Sequence, residues 1–193
     1  MKTPTRAALE ASNKAFVLPP VPHIAEHIAA MRAKAQTSKF ECARVVDWRT
    51  GCTLWESSGE CESSVSMDGA SHCTRGNLMI HTHPISAELS LPDLVCCASM
   101  QARANLAVCG DETLSWSTGL NARAAHMSVF QWHWMQDCAR MEYGFQPGKL
   151  NLQHPRECAV DNYWLAHGVI GAGLVNEYRT FYSPALINLI AGE

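Results

Sequence analysis

The first readable pattern lies just after Pro22, where Ile24, Ile28 and Met31 recur at i, i+4 and i+7 among polar residues. That spacing is one face of a helix, and it predicts about four turns ending near Gln36. Before it, Pro4, Pro19, Pro20 and Pro22 interrupt any helical pattern, and residues 19–22 (PPVP) read as extended polyproline. Residues 1–37 are therefore expected to form an arm and a short helix packed on the domain that follows.

From Phe40 the period shortens. Residues 41–48 (ECARVVDW) are rich in β-formers and break at Arg49, Thr50 and Gly51, a turn signal. Residues 52–55 (CTLW) are the natural return strand of a hairpin, 59–67 offer a further strand, and Asp68-Gly69 marks another turn. The apolar run 77–80 (NLMI) reads as a buried strand leading into His81. A helix is expected over 91–104, a strand over 106–109, a turn at Gly110-Asp111 and a strand over 113–116.

The last third reads as helical. Met127, Phe130, Trp134, Cys138 and Met141 form a sustained helical stripe that stops at Gly144. Residues 157–182 could hold one long helix, but Gly168, Gly171 and Gly173 favour two shorter ones. The element order predicts an α/β (α+β layered) fold, a mixed β-sheet flanked by helices. Residues 38–120 would be its core and 121–193 a helical C-terminal extension packed on it.

Composition narrows the function classes. A chain of 193 residues is, on a prior of roughly 150 per domain, one domain with appended elements. With 47% apolar and 17% charged residues it can bury a core. Its net charge of −3 lacks the basic excess of a phosphate-binding surface, so no nucleic-acid partner is expected. No run approaches the ~18 apolar residues of a membrane span. The opening residues carry Glu10, Ser12, Asn13 and Lys14 where a secretory leader would be apolar. The expectation is a cytoplasmic protein with no membrane partner. Nine scattered cysteines, with no C-x-x-C pair, fit free thiols in a reducing compartment.

The candidate chemistry is concentrated in His81-Thr82-His83-Pro84 and Ser90-Leu91-Pro92-Asp93. In an extended chain i and i+2 share a face, so two imidazoles leaving a buried strand can converge on one ion. Pro84 turns the chain outward. Asp93, ten residues after His83, stands in the first helical turn, where it could fold back over the strand end. Two His and one carboxylate leave a tetrahedral position open for water, as in catalytic zinc sites. The plainer reading of Ser90 and Asp93 is a helix start, with Ser90 as N-cap and Asp93 favourable to the dipole.

This stretch resembles the JAMM (JAB/MPN+) metalloprotease motif: a glutamate, then His-Ser/Thr-His-Pro, then Ser-x-x-Asp. The resemblance covers roughly residues 40–120. It implies Zn2+ held by His81, His83 and Asp93, with Ser90 helping to hold the oxyanion. An upstream glutamate would act as general base and then general acid, and the substrate would be a protein or peptide, ubiquitin-like chains included. Six residues separate His83 from Ser90, one fewer than in the better-known deubiquitinating members. The spacing is closer to bacterial and phage-associated variants, with Leu89 where those carry Phe. Glu41, at the head of the first β-rich segment, matches the family's glutamate best, with Glu56, Glu60 and Glu62 as alternatives nearer turns.

Two other classes stay open. A non-catalytic JAB/MPN-like scaffold would bind proteins through its helical third and proline-rich arm. A cysteine hydrolase would need a thiol activated by a histidine, for which the sequence has no local signature. His126 and His133, seven apart, share a helix face and could bind metal with a third ligand, but beside Trp132 and Trp134 they are expected to be partly buried polar tips. Residues 130–134 (FQWHW) read as core or a partner groove, and His154 and His167 as surface or capping residues.

Overall fold

The computed structural model describes residues 3–59, 64–84, 86–118, 126–142, 144, 151 and 154–192. In chain order the elements are α1 (Arg6–Ala15), α2 (Ile24–Thr37), β1 (Cys42–Val46), β2 (Thr53–Ser58), α3 (Ser71–Thr74), β3 (Leu78–His83) and α4 (Leu91–Ser99). There follow β4 (Ala104–Cys109), β5 (Leu114–Thr118), α5 (Val129–Glu142), α6 (Pro155–Gly171), β6 (Tyr178–Phe181) and α7 (Pro184–Ala191). The fold is α+β, with a six-stranded mixed sheet in the order β2-β1-β3-β4-β5-β6. Only β3 and β4 run parallel, and α4 is their crossover. Among the described residues no helix is long and apolar enough to cross a membrane.

The two sheet faces are covered differently. Ile28 and Met31 of α2 pack on Val46, Leu78, Ile80, Leu106 and Val108, whose side chains share one face. On the other face Leu94, Trp132, Leu165 and Val169 of α4, α5 and α6 close over Ala107. The hairpin expected at residues 41–55 forms. Asp47 Oδ1 accepts from the Arg49 and Thr50 amides, at 3.0 and 2.7 Å. Gly51 takes φ +72°, and a Cβ there would lie 2.3 Å from the Pro22 carbonyl oxygen.

Several elements depart from the sequence pattern. The arm contains α1, started by Thr5, whose hydroxyl accepts from the Ala8 amide. This helix seals the β6 end of the sheet. Asn13 exchanges two hydrogen bonds with the Tyr182 backbone, and Ser12 Oγ donates to the Thr180 carbonyl at 2.9 Å. The helix expected over 91–104 ends at Ser99, because 104 already enters β4. Residues 64–67 form no strand, and the rest of the 59–67 prediction falls largely outside the described residues.

In the last third, α6 is a single helix and residues 178–181 supply the sixth strand. Gly168 lets α5 and α6 cross closely, since a Cβ there would meet the Ala139 Cβ at 2.8 Å. Arg140 clamps the buried Asp161 carboxylate at 2.9 and 2.8 Å. The apolar stripe of α5 faces outward: Phe130 is 77% and Trp134 63% exposed, while Trp132, Met135 and Ala139 are buried. A neighbouring stripe of the same period won the core because its alanine fits against Gly168.

Candidate metal centre

β3 is buried along its whole length between β1 and β4. Its pleat sends Leu78, Ile80 and Thr82 toward α2, and Met79, His81 and His83 to the opposite face. The sheet fixes this alternation twice. Ala43 pairs with His81 across the antiparallel register, and His83 pairs with Cys109 across the parallel one. Thr82, on the α2 side, accepts the Cys42 amide at 2.8 Å and anchors the start of β1 to the end of β3.

Ser90 is the N-cap of α4, and Asp93 is its third residue, turned back over the strand end. His81 Nε2 lies 3.0 Å from His83 Nε2 and 3.2 Å from Asp93 Oδ1, and His83 Nε2 is 3.5 Å from Asp93 Oδ2. One donor atom from each residue falls within 4.8 Å of the others, a buried group that could hold a metal ion. The plainer reading of Ser90 also holds, since its amide and hydroxyl both donate to Asp93 Oδ2 at 2.7 Å. The cap orients the carboxylate; it does not compete with the cluster.

Glu41 stands one residue before β1, level with His83 and on the same face by the register. The Gly59 amide, donating to the Glu41 carbonyl at 2.6 Å, holds its backbone. Its side chain lines a cleft of about 150 Å³ together with His81, Asp93, Met67, Met79 and Cys96. Burial pushes the Glu41 carboxyl above its ordinary range, against the pull of His83 and His81 and with a contribution from Asp93. Burial opposes charge on His83, but hydrogen bonds to Asp93 and Cys109 outweigh it and hold the imidazole well above its ordinary value. Asp93 is held well below the usual carboxylate range: burial disfavours its charge, and the two histidines more than offset that.

The other glutamates separate clearly. Glu56 pairs in register with Arg44 on the α2 side of the sheet, bound to Arg44 Nη2 at 2.9 Å and to Lys34. It is therefore across the sheet from the histidines. Glu60 and Glu62 lie outside the described residues. His126 and His133 are both exposed, not the half-buried tips expected, because the stripe they border faces outward. His154 is at the α6 N-cap position and His167 stacks on Tyr163 at 4.6 Å.

Burial works against the thiolate at four of the described cysteines. All eight described cysteines are free. Burial raises Cys96, Cys158 and Cys73, and pushes Cys97 up to about 12. A nucleophilic cysteine needs the opposite shift.

Sequence reasoning missed what holds the connection between the two ligand groups. Ser86 Oγ donates to Asp111, and the Leu89 amide donates to Ser115 Oγ at 3.3 Å. Tyr178 donates to the Leu89 carbonyl at 3.3 Å, and Glu88 accepts from Thr180 and Tyr182. All of these partners except Asp111 lie on or next to β5 and β6, and nothing in the local pattern around Glu88 marks it as buried. No family model, curated protein or solved structure matches the chain.

Proposed function

We propose that this protein is a zinc-dependent hydrolase of a peptide or isopeptide bond, built on a JAB/MPN-like arrangement of strand, helix and connecting loop. Its substrate would be a protein or peptide, ubiquitin-like chains being one class. The observation that carries the reading is the convergence of His81, His83 and Asp93 at the end of β3, with Glu41 lining the same cleft. Two imidazole nitrogens and a carboxylate suit zinc and leave one position of a tetrahedron open. Donors bonded at 2.0–2.1 Å around a tetrahedral ion stand about 3.3 Å apart. The two imidazole nitrogens are 3.0 Å apart and His81 Nε2 is 3.2 Å from Asp93 Oδ1, with one donor atom of each residue within 4.8 Å of the others.

Zinc bound there supplies Lewis acidity and lowers the pKa of a bound water toward ~7. Glu41 takes the proton from the attacking water and delivers it to the leaving amine. The burial that raises its pKa suits it to carry that proton between the two steps. Ser90, whose hydroxyl now donates to Asp93, would turn it to the oxyanion. Met67, Met79 and Cys96 give the cleft an apolar wall beside the cluster.

The test is elemental analysis of the reduced chain beside His83→Ala, followed by hydrolysis of peptide and isopeptide substrates with and without a chelator. Stoichiometric zinc that is lost in the variant, with chelator-sensitive cleavage, supports the reading. A wild-type chain that takes up no zinc after reconstitution refutes it. A second reading, a non-catalytic scaffold, draws on the exposed Phe130, Trp134 and Met141 of α5. It predicts zinc without cleavage of any substrate.

A further inference from the structure

A second cavity lies on the far side of the connection that links His83 to Ser90. It encloses about 330 Å³ between α1, α6 and β6, and Glu88 reaches it from the connecting loop. Glu88 is 1% exposed. Its Oε1 accepts from Tyr182 Oη at 2.8 Å and its Oε2 from Thr180 Oγ1 at 3.0 Å. A carboxylate has about four acceptor sites, so two hydroxyl donors leave capacity unused.

What the carboxyl lacks is a counter-charge. Arg179 also lines the cavity, but its guanidinium is drawn to Glu177 Oε1 at 3.1 Å. Among the described residues no cationic side chain forms an ion pair with Glu88. A buried carboxyl without a cation is costly, and burial accordingly raises Glu88 to about 7 despite its two hydroxyl donors.

The walls suit the missing charge. Tyr163, Tyr178 and Tyr182 line the cavity; the Tyr163 and Tyr182 ring centroids are 6.4 Å apart and tilted by 43°, and the His167 ring, whose charge burial disfavours, lies 4.6 Å from that of Tyr163. A cation within about 6 Å of such a face is attracted by the ring quadrupole. The opposite wall is Ala8, Ala11 and Ala15 of α1, which leaves room for alkyl substituents. A bare hard divalent ion would find one carboxylate, a few hydroxyls and the His167 imidazole, far fewer anionic oxygens than such an ion takes.

We propose that this cavity is a binding site for a ligand carrying an ammonium group, with the Glu88 carboxylate as its counter-ion and the tyrosine rings as its cage. The site is distinct from the metal centre and does not depend on it. Two sources share the chemistry, a free small amine and the side chain of a lysine.

The experiment titrates the full chain, chelated and zinc-loaded, with tetramethylammonium, n-butylammonium and Nα-acetyl-lysine amide, each against sodium chloride at matched ionic strength. Calorimetry and thermal shift read the binding. At least one probe should bind and raise the melting temperature in a concentration-dependent way. Binding of tetramethylammonium or butylammonium without the lysine amide would identify a free amine, and the reverse a lysyl side chain.

Glu88→Gln keeps the side chain's shape, removes its charge and exchanges one acceptor oxygen for an amide donor, and should weaken binding at least about tenfold. Ala11→Phe fills the cavity from an exposed helix position and should abolish binding while metal content is unchanged. No binding by any probe, or equal binding by Glu88→Gln, overturns the proposal. Neither result bears on the zinc reading, which metal content tests separately.

Discussion

Replacing Glu88 by Gln should make the folded protein more stable at neutral and alkaline pH, although it removes a buried, hydrogen-bonded carboxyl. In the folded chain burial raises this carboxyl from 4.5 to about 7. Ionisation therefore costs about 3 kcal/mol more in the folded than in the unfolded state, at ~1.4 kcal/mol per pKa unit. The sign follows from the raised acid. Below pH 4.5 the group is neutral in both states and exacts no penalty. Between 4.5 and about 7 the unfolded chain ionises first, so wild-type stability falls, and above about 7 the loss is complete.

Gln mimics the neutral acid at every pH, so the difference between the two proteins isolates this group. His167, Arg179, Tyr163, Tyr178 and Tyr182 around the cavity are common to both and cancel. Urea unfolding at intervals from pH 4 to 8.5, without added amine, should show the variant equal to wild type at the acid end. It should rise to an advantage of up to about 3 kcal/mol above pH 7. A difference that stays flat across that range would refute the assignment of Glu88 as an uncompensated buried carboxyl.

Asp93→Ala should lose both zinc and hydrolysis, whereas Glu41→Gln should keep zinc and lose about 100-fold or more in kcat, read by elemental analysis and turnover. Retained turnover in the Glu41 variant would move the general base elsewhere. Trp132→Ala should cost about 3–5 kcal/mol by urea unfolding, and Trp134→Ala, on the same helix, within about 0.5 kcal/mol. Equal costs would mean that α5 is rotated from the orientation described. Brief iodoacetamide treatment should modify the exposed Cys52 and spare Cys97, which is 1% exposed with its thiol pushed up to about 12. Peptide mass mapping reads the outcome, and prompt labelling of Cys97 would contradict its burial.

The parts of the fold legible in the chain are those whose pattern is local. The period of Ile24, Ile28 and Met31, the β-rich run before Asp47 and the turn at Gly51 each depend on neighbours a few residues away. The run 77–80 ends in His81 and His83 at i and i+2, and the pleat alone puts both imidazoles on one face. Ser90 as a cap and Asp93 in the first turn follow from helix chemistry. The candidate metal group was readable because all three of its members lie within thirteen residues.

Where two local patterns compete, the sequence does not choose. Helix α5 carries two apolar stripes of the same period, and the one through Trp132, Met135 and Ala139 is buried because Ala139 fits against Gly168 of α6. Gly168, one of the glycines that suggested a break in α6, serves that crossing. The prolines of the first segment hid α1, whose stability comes from Leu9 seated among Tyr163, Leu186 and Ile190. β6 looked like part of a helical third because its four residues gain strand character only by pairing with β5.

The sequence by itself therefore determined the strand with its two histidines, the capped helix with its aspartate and the hairpin beside them. Tertiary structure alone decided that Glu41 shares their cleft while Glu56 sits across the sheet with Arg44 and Lys34. It also decided that Glu88, an ordinary loop residue to the eye, is buried beneath β6. The physical reason is one of range: pleat, helical period and capping act over a few residues, whereas register and burial are set by partners from distant parts of the chain.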